Sequence, residues 1–215
     1  EGAIYEGVND FKVHITQTSS YFGNDAPSPV NNAVVTLNDP NSSVITLNPT
    51  GNGWYEIAAF MGKPNSLYEL NVQVGGQSFT ANATMPNHAA IDTFSVKEFG
   101  GFGPPDPEQG DQLLLVHFKD SAGIKNYYRV VVKQNNKLLE KPEYYYIFDD
   151  QIRDGLAIEA PLFTSLFFKG DSVDVELLGM DAGVYDYFTT LRDVLSGDAN
   201  TGAAPANPNS NFNNG

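Results

Sequence analysis

The residues best suited to chemistry in this chain are carboxylates, and they gather on two stretches. Asp106, Glu108 and Asp111 fall on one, and Asp149, Asp150 and Asp154 on another. Oxygen donors in this number are what Ca²⁺ takes, although neither stretch has the spacing of an EF-hand loop. Loop carboxylates are as a rule simply solvated, so no cofactor is required and calcium is the one the composition would admit. A pair of acids facing one another would suit glycoside hydrolysis, but such a pair is defined by its separation in space. His14, His88 and His117 are scattered, with none at zinc-protease spacing from another. His14, on the polar side of a strand, and His88, in a connection, are expected to be solvated. His117, within Leu113-Leu114-Leu115-Val116-His117-Phe118, is expected to be half-buried and hydrogen-bonded. The sequence has no nucleophile elbow, phosphate loop or dinucleotide fingerprint.

Aromatic residues are the second chemical signal. Tyr144 to Phe148 reads as a strand, whose alternation sets Tyr145 on the face opposite Tyr144 and Tyr146. Rings exposed there could stack on sugars or anchor a protein interface. Phe99 and Phe102 lie in FGGFGPPDPEQGD, a stretch whose glycines and prolines make it a long surface loop where no core needs a ring. Together with Tyr185 at the start of the predicted helix, these residues are the candidates for contact with a ligand or partner.

Composition narrows the partners. The 215 residues carry 12 basic and 26 acidic side chains, a formal charge of -14. Nucleic acid is excluded, since its binding rests on Lys and Arg neutralising phosphates, and an anionic membrane surface is disfavoured for the same reason. No cysteine is present, so disulfides, thiolate metal sites and a cysteine nucleophile are excluded within these residues. The longest apolar runs are far too short to span a bilayer as a helix.

The elements that would position these groups are strands. Phe11, Val13 and Ile15 alternate with Lys12, His14 and Thr16, the period of a half-buried strand. Val30 to Leu37, Val44 to Leu47, Trp54 to Ile57, Tyr68 to Val74 and Gln77 to Met85 follow, separated by turn residues, with Gly75-Gly76 as a hairpin signal. This predicts a small β-sandwich over residues 1–88. A second sandwich, over 89–215, is predicted from Ile91 to Glu98, Gln112 to Phe118, Tyr127 to Gln134, Lys137 to Glu140, Tyr144 to Phe148 and Ser172 to Leu178; residues 160–168 fit either a helical turn or a strand. One helix is expected at 181–196, capped by Asp181 and stopped by Gly197, with Val184, Tyr187, Phe188, Leu191 and Leu195 on its packed face. The Asn- and Pro-rich tail beyond it has Phe212 as its only large apolar residue, expected to dock and keep the tail ordered. The fold class is therefore all-β: two successive Ig-like or transthyretin-like sandwiches with one amphipathic helix on the second.

Particular motifs then carry a resemblance. Residues 30–86, with Val30-Asn31-Asn32-Ala33-Val34-Val35, Gly53-Trp54-Tyr55 and the Gly75-Gly76 hairpin, resemble the transthyretin-like or carboxypeptidase-regulatory-like sandwich. Asn126-Tyr127-Tyr128-Arg129, Phe148-Asp149-Asp150, Gly170-Asp171-Ser172-Val173, Tyr185 to Leu191 and Ala204 to Asn211 resemble the Bacteroidetes lipoprotein family known as domain of unknown function 4249, across the whole chain. The resemblance implies a protein exported with a lipoprotein signal and anchored in the outer membrane, at the cell surface or periplasmic face, through a lipid on a cysteine upstream of Glu1. It implies a TonB-dependent outer-membrane receptor as partner and supplies no catalytic residues. The expected function is that of a non-enzymatic accessory or binding lipoprotein. The alternatives are a glycan-binding module with an aromatic platform, or a glycoside or peptide hydrolase.

Overall fold

The computed structural model describes residues 2–17, 26–40, 43–99, 110–196 and 207–214, and it is all-β with one helix. Phe102, Asp106 and Glu108 lie outside the described residues. The chain divides into two compact units, Glu1–Asn87 with Ser210–Gly215, and His88–Asn209.

In the first unit, β1 (Gly7–His14), β6 (Asn48–Gly51) and β7 (Trp54–Gly62) form one sheet in the order β1-β7-β6. The facing sheet contains β4 (Val34–Asn38), β5 (Ile45–Thr46), β8 (Leu67–Val74) and β9 (Gln77–Thr84), and a short ribbon pairs β2 (Thr16–Gln17) with β3 (Ser28–Pro29). Alternation decides what enters the space between the sheets: Phe11, Val13, Tyr55 and Phe60 meet Val35, Leu37, Tyr68 and Val72 in one buried cluster. Burying side chains of this size stabilises the fold by roughly 1.5–3 kcal/mol each. Tyr55 keeps its polar end satisfied there, donating to the Val30 carbonyl and accepting from the Ala33 amide, both at 2.9 Å.

The last residues belong to this first unit, a correction to the reading that placed them with the second. Phe212–Asn214 form β17, which pairs with β9 through Phe212 and Ala81, and Phe212 packs against the first core. The physical reason is twofold. The tail has one apolar side chain to bury, and β9 offers it a row of backbone donors and acceptors that would otherwise face water.

In the second unit, β10 (Ile91–Glu98), β11 (Gln112–Lys119) and β15 (Ala157–Phe167) form one sheet in that order. In the other, β12 (Tyr127–Gln134) pairs with β13 (Lys137–Leu138), β14 (Tyr146–Asp149) and β16 (Val173–Met180). Val116, Phe118, Val130, Val132 and Leu162 fill the core between them. Residues 160–167 of the ambiguous stretch thus belong to an eleven-residue strand, which ends before Phe168. Tyr144 is not in a strand: Pro142–Tyr144 is a 3-10 turn, with Pro142 at its start where a missing N–H costs nothing.

The helix α1 (Ala182–Ser196) opens with the Val184 amide donating to Asp181 Oδ1 at 2.9 Å, the predicted cap. It packs on the outer face of the β12 sheet without burying any residue completely. Asn209 returns to it, its amide on the Thr190 hydroxyl at 2.9 Å and its side chain on Asp186 at 2.8 Å.

Candidate functional site

The 3-10 turn, β14, β15 and the last turn of α1 border an open groove of about 840 Å³. Its apolar lining includes Tyr145, Tyr146, Phe163 and Leu195, and its polar lining includes Glu143, Arg192 and Asp193. Local chemistry fixes each wall. The Tyr146 hydroxyl donates to Ser165 Oγ at 2.7 Å and lies 2.9 Å from the Thr164 hydroxyl, whose own proton goes to the Glu143 carbonyl at 2.6 Å. These bonds tie the 3-10 turn to β15. Burial pushes the Tyr146 phenol above its usual range, against the lowering effect of the Ser165 and Thr164 hydroxyls.

On the helix side, the Arg129 guanidinium lies 4.1 Å from the Phe188 ring centre and 5.1 Å from that of Tyr145, so one cation clamps helix and turn together. Tyr185 lies 4.6 Å from Tyr127, ring centre to ring centre. Tyr145 and Tyr185, read from the sequence as contact residues, therefore spend much of their surface on docking the helix. Leu195 and Phe163 do not: they are 52% and 42% exposed, which leaves apolar surface open on the groove. Phe99, half-buried against Leu113, Leu115 and Leu166, lies 5.6 Å from Phe163 and extends this apolar surface.

The acidic residues assemble differently from the sequence grouping. Asp120, Asp150 and Asp154 bring one carboxylate oxygen each within 4.8 Å of one another, the one such trio among the described residues. Asp120 and Asp150 are buried. Asp149 stands apart, 3.8 Å from Lys125, and Asp111 accepts from the neighbouring Gln112 side chain at 2.8 Å. Each oxygen of the trio used for bonding already faces a donor. Asp120 accepts from Tyr128, from the Asn126 side chain at 3.1 Å and from the Gly155 amide at 2.7 Å. Asp150 accepts from the Asn126 amide at 2.8 Å, and Asp154 from the Gly123 amide at 2.7 Å. Burial, then the Asp120 hydrogen bond and charge, raise the Tyr128 phenol well above its ordinary range. A Ca²⁺ ion here would compete with these donors, and the Ser121 and Ile124 carbonyls nearby are taken by Asn126 at 3.0 and 2.9 Å. What the arrangement does as it stands is pin three turns together.

A third constellation joins adjacent strands. The Ser95 hydroxyl lies 2.7 Å from His117 Nε2, and His117 Nδ1 lies 3.8 Å from Glu159, which also pairs with Lys97 at 3.7 Å. The order of atoms is that of a nucleophile, base and orienting acid. The second link is beyond hydrogen-bond reach, and Glu159 is shared with a lysine. Ser95 sits within the β10-β11 ladder, where successive backbone N–H groups point to opposite edges of the strand rather than gathering as an oxyanion hole. His117 is thus the half-buried, hydrogen-bonded residue the sequence suggested.

Asp120, Arg192 and Phe163 were not read from the sequence as ligand, metal or catalytic residues. Asp120 directly follows β11, thirty residues before Asp150, and nothing in that spacing joins the two. Comparison with curated proteins and with solved structures finds no match. The family model described as Domain of unknown function (DUF4249) matches residues 1–215, in agreement with the motifs read from the sequence, and the chain belongs to that family.

Proposed function

We propose that the protein is a non-enzymatic binding or accessory protein whose contact surface is the groove between the 3-10 turn and α1. The observation that carries this reading is the exposure of Phe163 and Leu195 beside Arg192 and Asp193 in an open groove of about 840 Å³. Its volume falls within the roughly 300–1,000 Å³ of ligand sites, and apolar side chains among a few charges are the usual composition of such a site. The competing hydrolase reading has less support, since the Ser95-His117-Glu159 chain is incomplete and the acidic trio is engaged by backbone amides and by the Tyr128 and Asn126 side chains. A glycan platform built from the tyrosine triplet also has less support, because Tyr145 is clamped by Arg129 and Tyr146 is bonded to Ser165.

The family resemblance supplies the setting: a lipid-anchored outer-membrane protein beside a TonB-dependent receptor, with the groove taking a segment of that receptor or the ligand it carries. The test is affinity purification of the lipidated protein from its native membrane, alongside a variant carrying Phe163→Ser and Leu195→Ser. The wild type is expected to co-elute with a TonB-dependent receptor and the folded variant to lose it. Equal recovery with both would sink the assignment of the groove.

A further inference from the structure

We infer a second binding site on the first unit: a stacking platform for a hexopyranose ring of a neutral glycan, on the outer face of the β1-β7-β6 sheet, with Trp54 as its floor. The chain has a single tryptophan, and strand alternation sends its neighbour Tyr55 into the core while Trp54 faces out, 41% exposed. Trp54 is paired with His14 on one side and Gly51 on the other. The imidazole of His14 stacks on the indole at 4.3 Å between ring centres and 10° between planes. His14 Nε2 lies 3.1 Å from the Asn52 carbonyl, which can only accept, so that nitrogen carries the proton and the backing ring is held in plane.

Among the described residues the other flank is open. Gly51 has no side chain, and a Cβ built there meets no described atom within 4 Å. The next pair along the same outer face is Lys12 and Glu56, 3.6 Å apart, a donor and an acceptor beside the ring. A backed, flat π surface with room on one flank and hydrogen-bonding groups at its edge matches a pyranose. The polarised C–H groups on the sugar's flat face meet the negative face of the ring, and its equatorial hydroxyls reach the charged pair. A nucleobase could also stack, but its phosphates would meet a chain of formal charge -14. A purely apolar partner would have to desolvate Lys12 and Glu56. The competing account is a cross-strand pair that only stiffens the sheet.

The lone tryptophan is its own reporter. The full chain is titrated with cellohexaose, mannohexaose and laminarihexaose while Trp54 emission is followed, and its mobility is measured in gels containing the matching polysaccharides. A saturable emission change with at least one glycan is expected, together with affinity about tenfold weaker for Trp54→Ala. The Phe163→Ser, Leu195→Ser variant should bind the glycan as the wild type does, which keeps this site distinct from the groove. No emission or mobility change with any of the three overturns the inference, and so does a Trp54→Ala protein that binds unchanged. If Trp54→Ala does not fold, the wild-type titration decides alone.

Discussion

At the scale of single residues, Asp120 is the side chain on which the turns of the second unit most depend. It is 3% exposed and accepts from Tyr128, Asn126 and Gly155, so Asp120→Ala strands the Tyr128 hydroxyl and the Gly155 amide, while the Asn126 side chain keeps the Ser121 and Ile124 carbonyls. A loss of about 3 kcal/mol is expected by urea unfolding, given the cost of unpaired buried groups. Tyr128 gives a pH test. Its phenol is raised in the folded state, so its stabilising effect is complete below pH 10, the ordinary tyrosine value, and is lost as pH climbs above it, where the unfolded chain ionises first. Tyr128→Phe should flatten the fall in melting temperature above pH 10; an unchanged slope would assign that fall to other groups. Thr189 offers the opposite sign. Among the described residues its hydroxyl is buried without a hydrogen-bond partner, so Thr189→Val should raise stability by about 1 kcal/mol in the same assay.

At the scale of elements, the helix is held by its cap and by aromatic contacts rather than by a buried stripe. Asp181→Ala should therefore cost about 1 kcal/mol, measured by thermal unfolding of the second unit's signal. The strands and the cap were legible in the sequence because alternation and a capping carboxylate are local signals: Phe11 and Val13 are buried as their spacing required. Tyr144 was misread because an aromatic triplet resembles a strand, whereas Pro142 two residues earlier sets a turn. Leu195 shares the helical spacing of the packed face yet is exposed, in the last turn of the helix where it borders the groove. That is a property of where the helix ends in space. The trio of Asp120, Asp150 and Asp154 escaped for a related reason: sequence displays Asp150 and Asp154 as loop neighbours and gives no sign that the end of β11 lies against them.

At the scale of the whole molecule, two sandwiches each bury their own core, and the chain's last strand completes the sheet of the first. Phe212→Ser should accordingly destabilise the first unit, seen as faster amide exchange in β9, while the second unit's amides are unchanged. The acidic balance fits a surface that repels phosphate backbones and leaves binding to apolar and aromatic contacts. The groove, with Phe163 and Leu195 open beside charged groups, is the feature that gives the family a concrete binding hypothesis. Its most direct test is photo-crosslinking in living cells with a photoreactive amino acid in place of Leu195, and in a separate strain in place of Ile152, which is 86% exposed and does not line the groove. The account predicts one abundant adduct from position 195, identified by mass spectrometry as a TonB-dependent receptor or its ligand, and none from position 152. No adduct at 195, or the same adducts from both positions, would contradict it.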